Sequence, residues 1–205
     1  MNLVTDPALT AIIKPGWFVA DAVTVLERDH AMDEPLRVAA ATMRTRVESA
    51  ETTASVRTMY KRVGIDPTKT RPSSEALLRR VRRGDELPRI NSLVDVINWC
   101  SLETQLPFGL YDMGHIQGTV DLRIGRDGEE YAGIRKDAVH VAGRLTLADE
   151  QGPFGNPTSD SARTMVTTAT TSALVVIFCP ASLGADELSR ALELTRSRIP
   201  GARFS

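Results

Sequence analysis

The residues in this chain that could do chemistry are few, and none falls into a familiar catalytic set. There are three histidines and two cysteines in 205 residues. His30 lies among charges and His140 alternates within Val139-His140-Val141, so both read as surface or structural groups. His115 follows the Tyr111-Asp112-Met113-Gly114 turn, which exposes it, and it is a candidate site residue. Cys100 and Cys179 each end an apolar run and read as small buried hydrophobes, so neither a disulfide nor a metal site is expected. Phosphate loop, dinucleotide fingerprint, nucleophile elbow and zinc spacing are all absent from the sequence, and no cofactor is expected. The densest polar segment is QGPFGNPTSDS at 151–161. Its Asp160, with Gly155, Asn156, Thr158, Ser159 and Ser161, could surround a polar ligand, but the same residue types build any capped turn. Asp95 and Asn98 interrupt an apolar helical stripe, and buried polar groups of that kind need partners. Asp95 and Asp112 read more naturally as helix or turn supports than as catalysts.

Charge is the second signal. The net charge is -1, but residues 56–89 hold 10 Lys/Arg against 4 Asp/Glu. Residues 1–55 and 90–205 are both net acidic. The cluster comprises Arg57, Lys61, Arg62, Lys69, Arg71, Arg79, Arg80, Arg82 and Arg83. Phosphate attraction depends on such local concentration, so this is the candidate nucleic-acid surface. A solvated basic helix is the plainer reading.

The elements that must carry these residues follow from periodicity. Val56, Met59, Tyr60 and Val63 recur at helical spacing before Gly64 and Asp66-Pro67. A second helix is expected over 73–83, with Ser73 as N-cap, Glu75 in the first turn, a face of Leu77, Leu78 and Val81, and Gly84 after the end. A third spans 92–103. Beyond Pro107 the texture becomes that of strands, at 119–124, around Val139/Val141 and Leu145/Leu147, and at 173–178. Residues 17–25 read as a strand or short buried element, 27–50 as one or two helices, 151–161 as a long polar loop, and 186–198 as a closing helix. At 42% apolar and 25% charged residues this is a globular chain of one domain by default, with no apolar run long enough to span a membrane. A cytoplasmic location is the expectation.

The stretch 87–118 carries a more specific pattern: Ile90-Asn91, Val94-Asp95-Val96, Asn98, Leu102-Glu103, Pro107, Tyr111-Asp112 and Ile116-x-Gly118, colinear and without a gap. It resembles the signature of the B3/B4 domain, the tRNA-editing domain of the phenylalanyl-tRNA synthetase β subunit. The likeness continues more weakly through Arg123, Gly128-Glu129 and Ala148-Asp149, and covers about 55–180. The lead-in MYKRVGIDPTKTRPSSEALLRRV (59–81) is similar to that of freestanding, single-domain members.

The resemblance implies an α+β fold, a layered β-sandwich of unusual topology with flanking helices. On that reading residues 1–205 are a single B3/B4-like domain, with 1–54 as an N-terminal helical extension and 186–198 as a C-terminal helix. It also implies hydrolysis of mischarged aminoacyl-tRNA in trans, with tRNA or aminoacyl-tRNA as partner. Asn98 corresponds to a pocket-lining Asn, and Asp160 or Asp112 would supply the carboxylate that holds the substrate's ammonium. Gly109, Asp112, His115 and the 155–161 segment complete the expected pocket. The pattern departs from the synthetases at Gly109, where they carry His, and at Gln105 and Leu106. A non-catalytic RNA-binding module, or an amino-acid or small-molecule binder of the same fold, is therefore the alternative.

Overall fold

The uninterrupted β-branched run at 173–178 has no polar face, so it must lie in a strand covered on both sides. It does: in the computed structural model, which describes residues 1–47, 49–134 and 136–205, it forms the middle of a nine-residue strand, β10 (Ser172–Pro180). β10 pairs antiparallel with β2 (Ile13–Asp21) along its whole length and with β3 (Phe108–Asp112) on its other edge. The short β11 (Arg203–Phe204) adds to the outer edge of β2, giving the order β11-β2-β10-β3.

A second sheet runs in the order β1-β4-β7-β8-β9. Its strands are β1 (Leu3–Thr5), β4 (Val120–Ile124), β7 (Leu145–Asp149), β8 (Gly152–Asn156) and β9 (Ser159–Asp160). The β1–β4 pair is parallel and the others are antiparallel. A ribbon of β5 (Glu130–Gly133) and β6 (Lys136–His140) stands beside it. The two large sheets meet where Tyr111 of β3 and Phe154 of β8, both fully buried, pack edge to face with ring centroids 5.0 Å apart. Perpendicular rings set the positive edge of one against the negative face of the other.

Among the described residues, five α-helices cover this frame: α1 (Asp33–Thr45), α2 (Ala50–Arg62), α3 (Ser73–Arg82), α4 (Ser92–Thr104) and α5 (Ala185–Ser197). With 35% helix and 27% strand in separate layers, the fold is α+β. α1, α3 and α4 pack on one another, and α4 and α5 close onto the β2-β10-β3 sheet. α4 begins at Asn91, whose Oδ1 accepts from the Val94 amide at 2.9 Å. It ends at Gln105, held at φ 60, two residues before Pro107. Leu93, Val96 and Cys100 bury one side of it, each Leu or Val worth roughly 1.5–3 kcal/mol on removal from water.

Three expectations change. Residues 1–54 are not purely helical: β1 and β2 lie there, one in each large sheet. Neither could form without a distant partner, since β1 pairs with β4 and β2 with β10. The segment at 151–161 is not a loop but the hairpin of β8 and β9. Ser73 is the first helical residue rather than the cap, which falls to Pro72 with no side-chain bond. The buried Ser73 hydroxyl is left without a hydrogen bond.

Candidate active site

α4, α3, β3 and the β8–β9 hairpin enclose a cavity of about 420 Å³. Helical spacing decides what α4 contributes: Val94, Ile97, Asn98 and Ser101 all line it, as residues i, i+3, i+4 and i+7 on one face. Period-two alternation selects Phe108 and Leu110 from β3. Ser73 and Leu77 of α3 and the hairpin residues from Asn156 to Asp160 complete the polar and apolar walls, with Ile134, Met165, Val166 and Ile90. Ile90 is 49% exposed and Met165 38%, so an apolar rim is open to solvent.

The hairpin is fixed from several directions. Asn156, 2% exposed, accepts through Oδ1 from the Thr158 amide (2.8 Å), the Thr158 hydroxyl (2.7 Å) and the Ser159 amide (3.0 Å). This Asx turn satisfies backbone donors that a buried tip would otherwise strand. The Tyr60 hydroxyl donates to the Pro157 carbonyl at 2.9 Å, and the Tyr131 hydroxyl to the Ser159 carbonyl. Behind the cavity, Asp149 accepts two bonds from Arg163, both at 2.9 Å, which anchors the segment leading to Met165 and Val166. Burial pushes the Asp149 carboxyl up, but Arg163 and the amides of Gln117 and Gln151 overcome this and hold it below the usual carboxylate range.

Besides Ser73, two polar side chains on the cavity wall have their capacity unspent. Asn98 is half-buried, and its amide makes no hydrogen bond with any described residue. Asp160 keeps some surface towards the cavity, but its Oδ1 is covered and has no partner. Burial raises its carboxyl to about 7, and the neighbouring Tyr111 hydroxyl pulls against that rise. A desolvated protonatable group near neutrality on a cavity wall suits the binding or transfer of a proton or an ammonium.

The structure brings Asn98, Asn156, Thr158, Ser159 and Asp160 to the cavity and leaves the other expected pocket residues outside its wall. Asp112 is occupied beneath the surface, with Oδ1 accepting from the Gly114 amide (2.8 Å) and Oδ2 from the Thr170 hydroxyl (2.7 Å). His115 is exposed, with Nδ1 3.5 Å from Asp112 Oδ2. The Ser161 hydroxyl accepts from the Arg163 amide. Gly109 and Gly155 both lie against Tyr111, whose ring fills the space a Cβ would need at either position. The amides of Thr158 and Ser159 are already given to Asn156, so only part of this hairpin is available to stabilise an oxyanion. Sequence reasoning missed the apolar wall, because Phe108, Leu110, Met165 and Val166 carry no signal that separates a cavity wall from a core.

The polar residues of the 87–118 signature have structural duties. Asn91 caps α4 and also donates to the Val166 carbonyl at 3.3 Å. Asp95, 1% exposed, accepts from Arg89 Nε at 2.6 Å and from the Ile90 amide at 2.8 Å. Arg89 also bonds Asp33, whose carboxyl is held down to about 2 first by that bond and then by His30. Glu103 accepts from Trp99 Nε1 (2.6 Å) and from Arg198 (2.7 Å), and Arg198 stacks on Trp99, tying α5 to α4.

The basic residues divide in two. Arg57 makes a two-pronged pair with Glu75, at 2.8 and 2.7 Å. Arg62 donates to the Ala11 carbonyl, Arg80 to the Glu86 carbonyl and Arg82 to the Arg46 carbonyl, and Arg83 pairs with Asp85. Lys61, Lys69, Arg71 and Arg79 are exposed, and their side chains make no hydrogen bond or ion pair among the described residues. Lys69 and Arg71 immediately precede Ser73, which lines the cavity. No helix among the described residues is long and apolar enough to cross a membrane, and no cluster among them could hold a metal ion.

Two facing sheets with flanking helices and a cavity at their helical edge define an α+β domain with a polar-floored apolar pocket. This chain belongs to the B3/4 domain family, whose profile matches residues 55–197. It is 31% identical over 90 residues to the phenylalanine–tRNA ligase β subunit of Paramagnetospirillum magneticum (strain ATCC 700264 / AMB-1), across 38% of this chain and 11% of that protein. The Brucella abortus (strain 2308) β subunit is 30% identical over 86 residues, 42% of this chain and 11% of its own length. The chain thus matches about a tenth of these relatives. Its fold is similar to that of an N-terminal fragment of the phenylalanyl-tRNA synthetase β subunit from Pyrococcus horikoshii, with a TM-score of 0.52 at 11% identity, over 99% of this chain and 50% of that one.

Proposed function

We propose that this protein binds aminoacyl-tRNA and hydrolyses the ester of a mischarged one, with the aminoacyl group held in the cavity between α4 and the β8–β9 hairpin. The observation that carries the reading is an uncommitted Asn98 amide and a desolvated Asp160 carboxyl, its Oδ1 without a hydrogen bond, on the wall of one cavity. The Asp160 carboxylate receives the substrate's ammonium, and Asn98 donates to the ester carbonyl or orients the attacking water. An aminoacyl ester is already activated, so positioning and a few donors suffice and no protein nucleophile is needed. Water adds to the ester carbonyl, the ester C–O bond breaks, and the ribose hydroxyl leaves with a proton. The four uncommitted cations, Lys61, Lys69, Arg71 and Arg79, supply phosphate contacts.

The test is a deacylation screen against a panel of mischarged tRNAs, with Asn98→Ala and Asp160→Asn beside the parent protein. Turnover of at least one tRNA, lost at least tenfold in both variants while tRNA binding persists, is the expected result. Full activity in both variants removes these residues from the reaction. A non-hydrolytic tRNA-binding role is the second reading, favoured by the commitment of the Thr158 and Ser159 amides to Asn156. Binding without turnover on every tRNA would establish it.

A further inference from the structure

We propose that Tyr111 is a positioning residue for the site: its hydroxyl orients the Asp160 carboxyl and keeps it ionisable at the cavity floor, without itself touching the ligand. The proposal rests on reading the cavity as an amine-accepting site, and it concerns how that acceptor is built. Tyr111 is fully buried and absent from the cavity wall. Its ring lies back over Gly109, two residues earlier on the same face of β3, and against Gly155 of the opposite sheet. Either position with a Cβ would collide with the ring, so two glycines from two sheets make room for one phenol. Gly155 is the cross-strand partner of Asp160, and side chains at such paired positions stand only about 4.5–5.5 Å apart. The hydroxyl resting at Gly155 therefore sits beside the Asp160 side chain.

Neither group is satisfied elsewhere. The Asp160 Oδ1 and Tyr111 hydroxyl are both covered, and neither completes a hydrogen bond. A buried hydroxyl left unbonded is destabilising, so a merely structural aromatic at 111 would be served better by Phe. The hydroxyl gains its partner when the carboxyl ionises, because a carboxylate accepts a phenolic O–H strongly. Among the described residues, the titratable groups set against Asp160 are Tyr111 from β3 and Tyr131 from β5. The Tyr131 hydroxyl is already given to the Ser159 carbonyl. Burial alone would keep the carboxyl protonated, and Tyr111 acts against it. The space at residue 109 is thus not empty: the phenol of residue 111 occupies it.

The experiment follows the Asp160 carboxyl by ¹³C NMR across pH 4 to 10 in the full chain, parent against Tyr111→Phe. A second arm measures binding of non-hydrolysable 3′-aminoacylamido adenosines at pH 7 and pH 9. In the variant the Asp160 midpoint is expected to rise by half a pH unit or more. Affinity for any analogue that binds should fall at least threefold at pH 7 and recover at pH 9, where the carboxylate forms in both proteins. Superimposable titration curves and pH profiles would overturn the proposal. A displaced midpoint with no analogue bound by either protein would leave the Tyr111–Asp160 pair standing and remove the amine-site reading instead. Phe keeps the ring that fills the glycine-lined space, so the variant is expected to melt no lower than the parent at pH 5. A collapse of the fold there would show the hydroxyl to be structural and would also overturn the proposal.

Discussion

At the scale of single residues, burial of the Asp160 carboxyl at the cavity floor works against its ionisation. A carboxyl raised to about 7 in the fold starts from about 3.9 in an unfolded chain. Between those values the folded state keeps a proton that the unfolded state has released, so stability falls as pH rises through that window and stays lowered above it. Asp160→Asn should therefore melt higher than the parent at pH 8, by an amount on the order of 1–2 kcal/mol, and no higher at pH 3.5. Thermal melts at the two pH values check this. An equal difference at both would show that the carboxyl is not strained by burial. The glycines beside Tyr111 oppose change for a steric reason: Gly155→Ala should cost about 1–3 kcal/mol through overpacking, measured by urea unfolding. Asp160 could be nominated from sequence only through a family pattern, because its neighbours Tyr111 and Gly155 lie 49 and five positions away in the chain.

At the scale of elements, α4 holds the site in place through its two ends. Asp95 binds Arg89 and the Ile90 amide at the start of α4, and removing one side of such a buried pair typically costs about 3–5 kcal/mol. Asp95→Ala should lower stability by about that much, and chemical denaturation measures it. Asn91→Ala should cost about 1 kcal/mol for the cap, plus the bond to Val166. The helices could be read from sequence because each carries its own period and stop: Val56 to Val63 before Gly64, Leu77 to Val81 before Gly84, Leu93 to Cys100 before Pro107. β3 and the β8–β9 hairpin could not. FGLYD shows no alternation in residue type because all five residues are buried. GPFGNPTSD spells a loop by composition, and becomes a strand pair only because β7 offers it an edge.

At the scale of the whole molecule, the proposed tRNA contact depends on which charges remain uncommitted. Half of the expected basic surface is spent on the fold, since Arg57 clamps α2 to α3 and Arg80 and Arg82 tie down carbonyls. Lys69→Ala with Arg71→Ala should weaken tRNA binding and reduce the slope of log affinity against log salt by about one per lost contact. Arg57→Ala should act mainly on stability. Filter binding over a salt series separates the two, and an unchanged slope in the double variant would place the phosphate path elsewhere.

The sequence by itself determined the helices, the buried central strand and the family pattern at 87–118. Each of these is written in local spacing or in a colinear motif. Only the tertiary structure decided that residues 1–21 supply a strand to each sheet and that Asp112 and His115 stand outside the cavity. It also decided that Asp160 is desolvated beside Tyr111 and that most of the arginines in the basic run are already engaged. The physical reason is the same throughout. Strand pairing, desolvation and ion pairing depend on which distant segments are brought together, and a chain records its own periodicity far more directly than the company its residues keep.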